Sequence, residues 1–120
     1  MNNQASIKFV RDLYQAVDNK DLNFLTKHLS ENIRFRIGNN HIIENKLEAL
    51  EANKGFFSSI HSMSHTLDKI VEKGKDLMCY GTVDYQRLDG TKHSAYFSTF
   101  LTIEDGLIED YLVFADVSGL

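Results

Sequence analysis

The N-terminal part of the chain has an apolar pattern with the period of a helix. One face of this predicted helix is formed by residues three or four positions apart: Ile7, Val10, Tyr14 and Val17. The polar run 18–20 ends the pattern, and Asp21 can cap a second, shorter helix over residues 22–29. Helices this short are marginal on their own in water, so both must pack against another layer of structure.

The period of the pattern then changes to two. Apolar and polar residues alternate over 30–37, as in a half-buried strand. A Gly-Asn-Asn turn at 38–40 leads into a short return strand at 41–43. A third helix is predicted over residues 45–60, with its apolar side chains on one face.

The remainder of the chain has the pattern of a sheet. Four strand-like segments lie at 63–72, 76–87, 93–103 and 107–117, and a glycine-containing turn separates each from the next. Two of these turns are Asp-Gly, which is typical of tight hairpins. Long strands twist and coil, so the sheet can curve around the helices. The prediction is one α+β domain over residues 1–120, with three N-terminal helices packed in a curved mixed or antiparallel sheet around one apolar pocket.

Composition and charge limit the function. The hydrophobic fraction of 42% supports a packed core. The formal net charge is −4 with no basic cluster, which argues against a nucleic-acid partner. Cys79 is the lone cysteine and cannot form an internal disulfide, which fits a reducing compartment. No signal-peptide pattern or membrane-length apolar run is present, so we expect a soluble, cytoplasmic protein with no membrane partner.

Four short motifs carry a resemblance to a known superfamily. They are residues 13–22 (LYQAVDNKDL), 30–35 (SENIRF), 100–108 (FLTIEDGLI) and 114–120 (FADVSGL). Their order and spacing resemble the NTF2-like superfamily, and the last two resemble its SnoaL-like members. The resemblance implies a cone of three helices in a curved sheet. The superfamily includes ketosteroid isomerase, scytalone dehydratase, limonene epoxide hydrolase, polyketide cyclases and pure binding domains, so the fold does not select a reaction.

Asp116 is the first candidate catalytic residue. On a strand it shares a face with Leu112 and Phe114. If that face is concave, desolvation would raise the pKa of the carboxyl group and suit it to acid–base work. The resemblance implies a working Asp at the matching position of SnoaL-type cyclases and epoxide hydrolases. The alternative is an exposed Asp that closes the strand.

His65 is the second candidate. The resemblance to scytalone dehydratase-like proteins implies a histidine in similar surroundings that acts on the protons of the substrate, and imidazole can do so near neutral pH. The alternative is a half-buried strand histidine bonded to a backbone carbonyl. His61 and His65 would face one metal ion on a helix, but four extended residues span about 13 Å, so we expect no metal site.

Further side chains are predicted to line the pocket. The set consists of apolar or hydroxyl-bearing residues: Leu13, Tyr14, Phe35, Phe56, Tyr96, Thr99, Leu112 and Phe114. In segment 76–87, the alternate face that carries Cys79 and Tyr85 is the more apolar and is predicted to face the core, which leaves Asp84 in solvent.

The residues of ketosteroid isomerase are not matched. Its hydroxyl donor would fall on Leu13 rather than Tyr14, its carboxylate base near Ile37 and its protonated acid near Thr99. A slip of one residue could restore Tyr14 but neither carboxylate. Steroid isomerisation by that mechanism is therefore disfavoured.

Two hypotheses about function remain. The first is a cofactor-independent enzyme that cyclises, isomerises, dehydrates or hydrates a small, mostly apolar molecule by acid–base chemistry. The second is a binding module with the same pocket and no chemistry. Beneath either, the resemblance implies a homodimer through the sheet, to which Tyr85, Tyr96 and Phe97 could contribute apolar surface.

Overall fold

The three helices lie in the first half of the chain, and four of the five strands follow them. The structure, a computed structural model, describes residues 3–120. The elements in chain order are α1 (Asn3–Asp18), α2 (Leu22–His28), β1 (Leu29–Ile37), α3 (Lys46–Ser59), β2 (Ile60–Lys73), β3 (Asp76–Arg87), β4 (Lys92–Glu104) and β5 (Leu107–Ala115). The predicted α+β class and the order of the elements are confirmed. The expected return strand at 41–43 is reduced to a single bridge between Phe35 and Ile43.

Polar side chains fix the helix ends. Asp21 caps α2 and Asn45 caps α3, each by accepting hydrogen bonds from backbone amides of the first turn. Lys20 adopts φ of 56°, and its Nζ donates to the carbonyls of Ile60 and His61 at 2.7 and 3.0 Å. The turn between α1 and α2 is thereby tied to the start of β2.

The five strands form one mixed sheet in the order β1-β5-β4-β3-β2. β1 pairs with β5 in parallel, and all other pairs are antiparallel. α1 packs against β2, and α3 packs against β1 and β2. The large side chains that are fully buried between these layers are mostly aliphatic: Val10, Leu13, Leu25, Leu29, Ile33, Ile60, Val83, Leu101 and Ile108. Within residues 3–120, no helix is long and apolar enough to cross a membrane.

β-Bulges decide which residues of a strand face the helices. Thr102 pairs with Asp110, but the next residue, Ile103, pairs with Ile108, so Glu109 is an extra residue in β5. One extra residue reverses the alternation of faces along the rest of the strand. Tyr111 consequently faces the helices and is buried, although it lies an odd number of positions after buried Ile108.

The faces of β3 and β4 follow simple alternation. Cys79 and Tyr85 are buried and Asp84 is exposed, as predicted from the sequence. Phe97 is also buried on the inner face. The expectation that Tyr85 and Phe97 contribute to an outer surface is therefore wrong, because the helices cover both rings, whereas Tyr96 does lie on the outer face.

Candidate functional site

A histidine–aspartate pair joins the end of α1 to β2. Nδ1 of His65 lies 2.6 Å from Oδ1 of Asp18, and the backbone N–H of His65 donates to Oδ2 of Asp18 at 3.0 Å. The imidazole ring also contacts Tyr14 and Phe97, with ring centroids 4.6 and 5.0 Å away. Because both carboxylate oxygens bind the same residue and two rings flank the imidazole, the orientation of His65 is fixed.

The pair also fixes the tautomer of a neutral His65. An ionised carboxylate can only accept hydrogen bonds, so Nδ1 carries the proton that is donated to Asp18. Nε2 is then the basic nitrogen of the ring, and no protein group within residues 3–120 forms a hydrogen bond to it. Nε2 is therefore available to take up and return a proton.

Buried hydroxyl and thiol groups lie beside this pair. The hydroxyl of Tyr14 is hydrogen-bonded to that of Thr99. Burial raises the pKa of Tyr14 well above its ordinary value, and burial likewise raises the pKa of Tyr111. Burial also raises the pKa of the Cys79 thiol to about 11. At neutral pH these groups remain protonated, so the tyrosines can act as hydrogen-bond donors and Cys79 is a poor nucleophile.

The space between the helices and the sheet is nearly filled. A cavity of about 30 Å³ lies there, which is room for one or two water molecules. Its polar wall is formed by Tyr14, Asn53, His65 and Tyr85, together with Tyr111. Its apolar wall is formed by Val17, Ile37, Phe56, Phe57, Met63 and Val113. This cavity is far smaller than the substrate-sized pocket that the sequence led us to expect.

An open cleft lies on the other side of His65, between α1 and β2. It has a volume of about 300 Å³, and its walls include Arg11, Gln15 and Asp18. Tyr14 and His65 belong both to this cleft and to the cavity. His65 is therefore positioned between this small cavity and a polar cleft that is open to solvent.

The structure corrects the expected environment of Asp116. Its side chain is exposed, and its Oδ1 accepts hydrogen bonds from the Ser118 backbone N–H at 3.0 Å and the Ser118 hydroxyl at 2.6 Å. These hydrogen bonds to Ser118, with a smaller contribution from His93, hold the pKa of Asp116 below its usual value. The prediction of a buried carboxyl group with a raised pKa is wrong, because the extra residue in β5 turns this face outward.

The other predicted pocket residues divide into three groups. Tyr14 and Phe56 line the cavity. Leu13, Phe35 and Thr99 are buried in the surrounding core, and of these Thr99 contacts the cavity wall through its bond to Tyr14. The last group lies on the outer face of the sheet, away from this cavity: Leu112, Phe114 and Tyr96. Phe114 and Tyr96 line an outer cleft of about 540 Å³ together with Asp116.

Asp18 and Asn53 were not identified from the sequence as residues of the site. Asp18 lies four residues after Tyr14, so the two share a helix face, and that spacing was the available signal. Tyr85 was expected on the core face of its strand and was also named for the dimer surface; burial, and secondarily the charge of Asp18, raise its pKa to about 12. Asn53 is buried in α3. Most other polar residues of this helix are exposed, so its sequence pattern does not indicate that Asn53 is buried. The positions noted for ketosteroid isomerase carboxylates, Ile37 and Thr99, supply no carboxylate.

Solved structures share this fold at low sequence identity. A proposed SnoaL-like polyketide cyclase from Jannaschia sp. CCS1 matches with a TM-score of 0.82 at 13% identity, over 95% of this chain and 87% of that one. An LEH-like epoxide hydrolase from M. tuberculosis matches with a TM-score of 0.80 at 13% identity, over 94% of this chain and 84% of that one. TsrD from Streptomyces laurentii matches with a TM-score of 0.79 at 20% identity, over 99% of this chain and 94% of that one. At these identities the likeness concerns the fold alone.

The sequence itself matches a family model. No curated protein sequence matches the chain significantly. The model for the SnoaL-like domain, however, covers residues 10–111, from the middle of α1 to the middle of β5, and includes both members of the His65–Asp18 pair. The chain is therefore a member of the SnoaL-like domain family, with an NTF2-like fold.

Proposed function

We propose that this domain binds a small, mostly apolar molecule beside His65 and moves a proton on it without a cofactor. The observation that carries the proposal is the imidazole held through Nδ1 by Asp18 at 2.6 Å, while Nε2 has no hydrogen-bond partner among the described residues of the protein. A histidine whose one nitrogen is fixed by a carboxylate is a competent general base at the other. Asp116, exposed and bonded to Ser118, has no part in this proposal.

The proton transfer follows from the geometry of the pair. Nε2 of His65 removes a proton from carbon or oxygen of the bound molecule, and the Asp18 carboxylate stabilises the imidazolium that forms. The protonated hydroxyl of Tyr85, which lines the cavity, can donate a hydrogen bond to an oxygen that gains charge. Return of the proton to another atom completes an isomerisation, a dehydration, a hydration or a cyclisation.

Binding requires the cavity to open. Phe56 is the half-buried aromatic ring of the wall, and its edge meets Tyr85 with centroids 6.1 Å apart. Rotation of Phe56 toward solvent would enlarge the cavity without moving the fully buried rings. A ligand can then occupy the apolar space with its reacting group at His65.

A proton-exchange assay tests the base without knowledge of the natural substrate. We expect the protein to accelerate deuterium exchange at the carbon next to the carbonyl of cyclohexanone, followed by NMR. His65→Gln should lower the protein-dependent rate by about 100-fold, the usual scale for loss of a general base. Asp18→Asn should lower it by about 10-fold, because the ring loses its fixed orientation.

Asp116→Asn is the matched control for this assay, since it removes an exposed carboxylate and should leave the rate unchanged. If His65→Gln accelerates deuterium exchange as much as the wild type does, the assignment of the base is wrong. The assignment is also wrong if Asp116→Asn lowers the exchange rate as much as His65→Gln does.

A second candidate function, a dimerisation module, is favoured by the outer face of the sheet. The central parts of β3, β4 and β5 present an outward belt without charge: Met78, Tyr80, Thr82, Tyr96, Ser98, Phe100, Leu112 and Phe114. Tyr96 is 85% exposed and Tyr80 is 52% exposed. An uncharged patch that contains several exposed rings is typical of a protein interface.

The charges around the belt favour a second copy of the chain as the partner. Asp76 and Asp84 lie at the two ends of the belt on β3, whereas Lys69 and Arg36 lie beyond its sides on β2 and β1, with Asp68 next to Lys69. A second sheet crossing at a large angle would place its basic sides over these acidic ends. The same patch then serves both partners, as a two-fold interface requires.

Sedimentation tests the dimer. The wild type should sediment at about 27.4 kDa, twice the chain mass of 13.7 kDa. The double variant Tyr80→Lys and Tyr96→Lys should sediment as the monomer, because it places like charges in the centre of the interface. Leu47→Lys, which changes an equally exposed apolar residue on α3, should remain a dimer. A wild type that sediments as a monomer would remove this proposal.

A further inference from the structure

Asn53 is a polar side chain buried in the wall of the cavity. It lies in the middle of α3 and is 3% exposed. Burial of an amide costs free energy unless its hydrogen-bonding groups find partners. Leucine at this position would pack in the same space without that cost, so the amide calls for an explanation.

One hydrogen bond orients the amide. Nδ2 of Asn53 donates to the carbonyl oxygen of Ala49 at 2.8 Å. A carbonyl oxygen can only accept, so the bonded atom must be the nitrogen, and the amide cannot be turned over. The bond is also dispensable for the helix, because the carbonyl of residue 49 is the regular helical acceptor for the backbone N–H of residue 53.

The amide oxygen is left without a partner. Within residues 3–120, no protein donor forms a hydrogen bond to Oδ1 of Asn53. Oδ1 nevertheless keeps some accessible surface. Among the described side chains, Nε of Arg36 is the polar atom that has neither a partner nor accessible surface, and Oδ1 of Asn53 does not belong to that class. Since Asn53 lines the cavity, its free oxygen is open to whatever occupies that space.

A second acceptor in the wall also lacks a protein partner among the described residues. Nε2 of a neutral His65 accepts hydrogen bonds, because Nδ1 holds the proton donated to Asp18. The amide oxygen of Asn53 also accepts. The rest of the wall consists of tyrosine rings with protonated hydroxyls and of apolar side chains such as Val17, Phe57 and Met63. Two acceptors in such a wall complement a ligand that carries a hydroxyl group on an apolar frame, because a hydroxyl group can donate to an acceptor and accept from a donor.

We propose that Asn53 selects the ligand of this pocket, and that the ligand is a small hydroxyl compound, an alcohol, enol or phenol, which donates its O–H to Oδ1 of Asn53. The inference rests on the pocket of the proposed function and adds the class of molecule that the pocket takes. It also accounts for the buried amide, since an apolar residue would bind the same hydrocarbon frame without distinguishing the hydroxyl group.

A pair of probes of similar shape tests the selection. Phenol and toluene differ in that one carries a hydroxyl donor and the other a methyl group. An apolar pocket prefers toluene, because burial of the methyl group is favourable and burial of an unpaired hydroxyl is not. We expect the wild type, titrated with each compound and followed by backbone and Asn53 side-chain amide NMR signals, to bind phenol more tightly than toluene.

Asn53→Leu should reverse this order. Leucine has a similar size and a higher helix propensity, so the variant keeps α3 intact. The ratio of the two dissociation constants should change by at least about 10-fold in favour of toluene, the usual scale for one buried hydrogen bond. A general loss of packing would weaken both ligands together and would leave the ratio unchanged.

The outcomes separate the two proposals. If wild type and Asn53→Leu bind both probes and both prefer toluene, Asn53 does not select the hydroxyl group, and the proposed function stands without it. If neither probe shifts any signal at millimolar concentration, the cavity admits no ligand of this class, and both the selection and the ligand-binding part of the proposed function are overturned. The exchange of deuterium into cyclohexanone tests the His65–Asp18 pair and does not test the role of Asn53.

Discussion

Gly81→Ala should unfold most of the protein at temperatures at which the wild type is native. Gly81 lies in β3 opposite the bulge that Asp68 makes in β2. A Cβ atom at Gly81 would lie 1.8 Å from the backbone carbonyl oxygen of Thr66, and the backbone N–H of Asp68 would lie 3.2 Å away. Both neighbours are backbone, so neither can turn aside. We expect a loss of at least about 3 kcal/mol in the free energy of unfolding, measured by denaturant titration.

The same substitution in a helix provides the control. Gly55 lies inside α3, and a Cβ atom there would meet no heavy atom within 4 Å. Gly55→Ala should therefore raise the free energy of unfolding by about 0.5–1 kcal/mol, because alanine restricts the unfolded chain and favours the helix. Equal effects of the two substitutions would show that the strand bulge is not as tightly packed as the structure indicates.

Alkaline pH should unfold the protein over a narrow range. Burial raises the pKa of Cys79 to about 11 from 9.0 and that of Tyr85 to about 12 from 10.0, and it raises the pKa of Tyr14 and Tyr111 as well. Each group is neutral when protonated, and the folded state favours that form. Above the unfolded pKa the unfolded chain binds fewer protons than the folded chain, so stability falls as pH rises.

The slope of this loss can be measured. Each such group contributes about 1.4 kcal/mol per pH unit between its unfolded and folded pKa, so four together give up to about 5 kcal/mol per pH unit above pH 10. The free energy of unfolding, from denaturant titrations at successive pH values, should be constant near neutrality and fall from about pH 9.

Tyr111→Phe is the comparison for the alkaline prediction. It keeps the ring that meets Phe35 edge-on and removes one of the four ionising groups. Its slope above pH 10 should be shallower than that of the wild type by about 1.4 kcal/mol per pH unit. Identical slopes, or a wild type whose stability does not change up to pH 11, would contradict the burial of these side chains in the folded state.

The sequence was sufficient where local rules determine the structure. The cap at Asp21 and the Asp-Gly turns at 89–90 and 105–106 are local signals, and the structure has a helix and two hairpins at those places. Alternation along β3 likewise predicted which face is buried, because no extra residue interrupts the pairing of β3 with β4. These features depend on residues that are close together in the chain.

The candidate site could be predicted only in part, because it depends on long-range geometry. The bulge at Glu109 reverses the faces of β5, and neither its residue type nor its neighbours indicate it, so Asp116 and Phe114 were assigned to the wrong side. His65 was chosen because of the resemblance to scytalone dehydratase-like proteins, and its catalytic role stays a prediction. Its partner Asp18, 47 residues earlier, depends on how α1 lies across β2, which no periodicity encodes.

The parallel pairing of β1 with β5 has a consequence for the order of assembly. Arg34 and Asp110, which form an ion pair across these strands, are 76 residues apart in the chain. The hairpins β2–β3 and β3–β4 close short loops and can form early. β1 can pair only with β5, the last strand of the chain, so this pairing is expected to form later. Until then the apolar side of the first third of the chain is uncovered, and this slow last step is the period in which the nascent molecule is most exposed to misassociation.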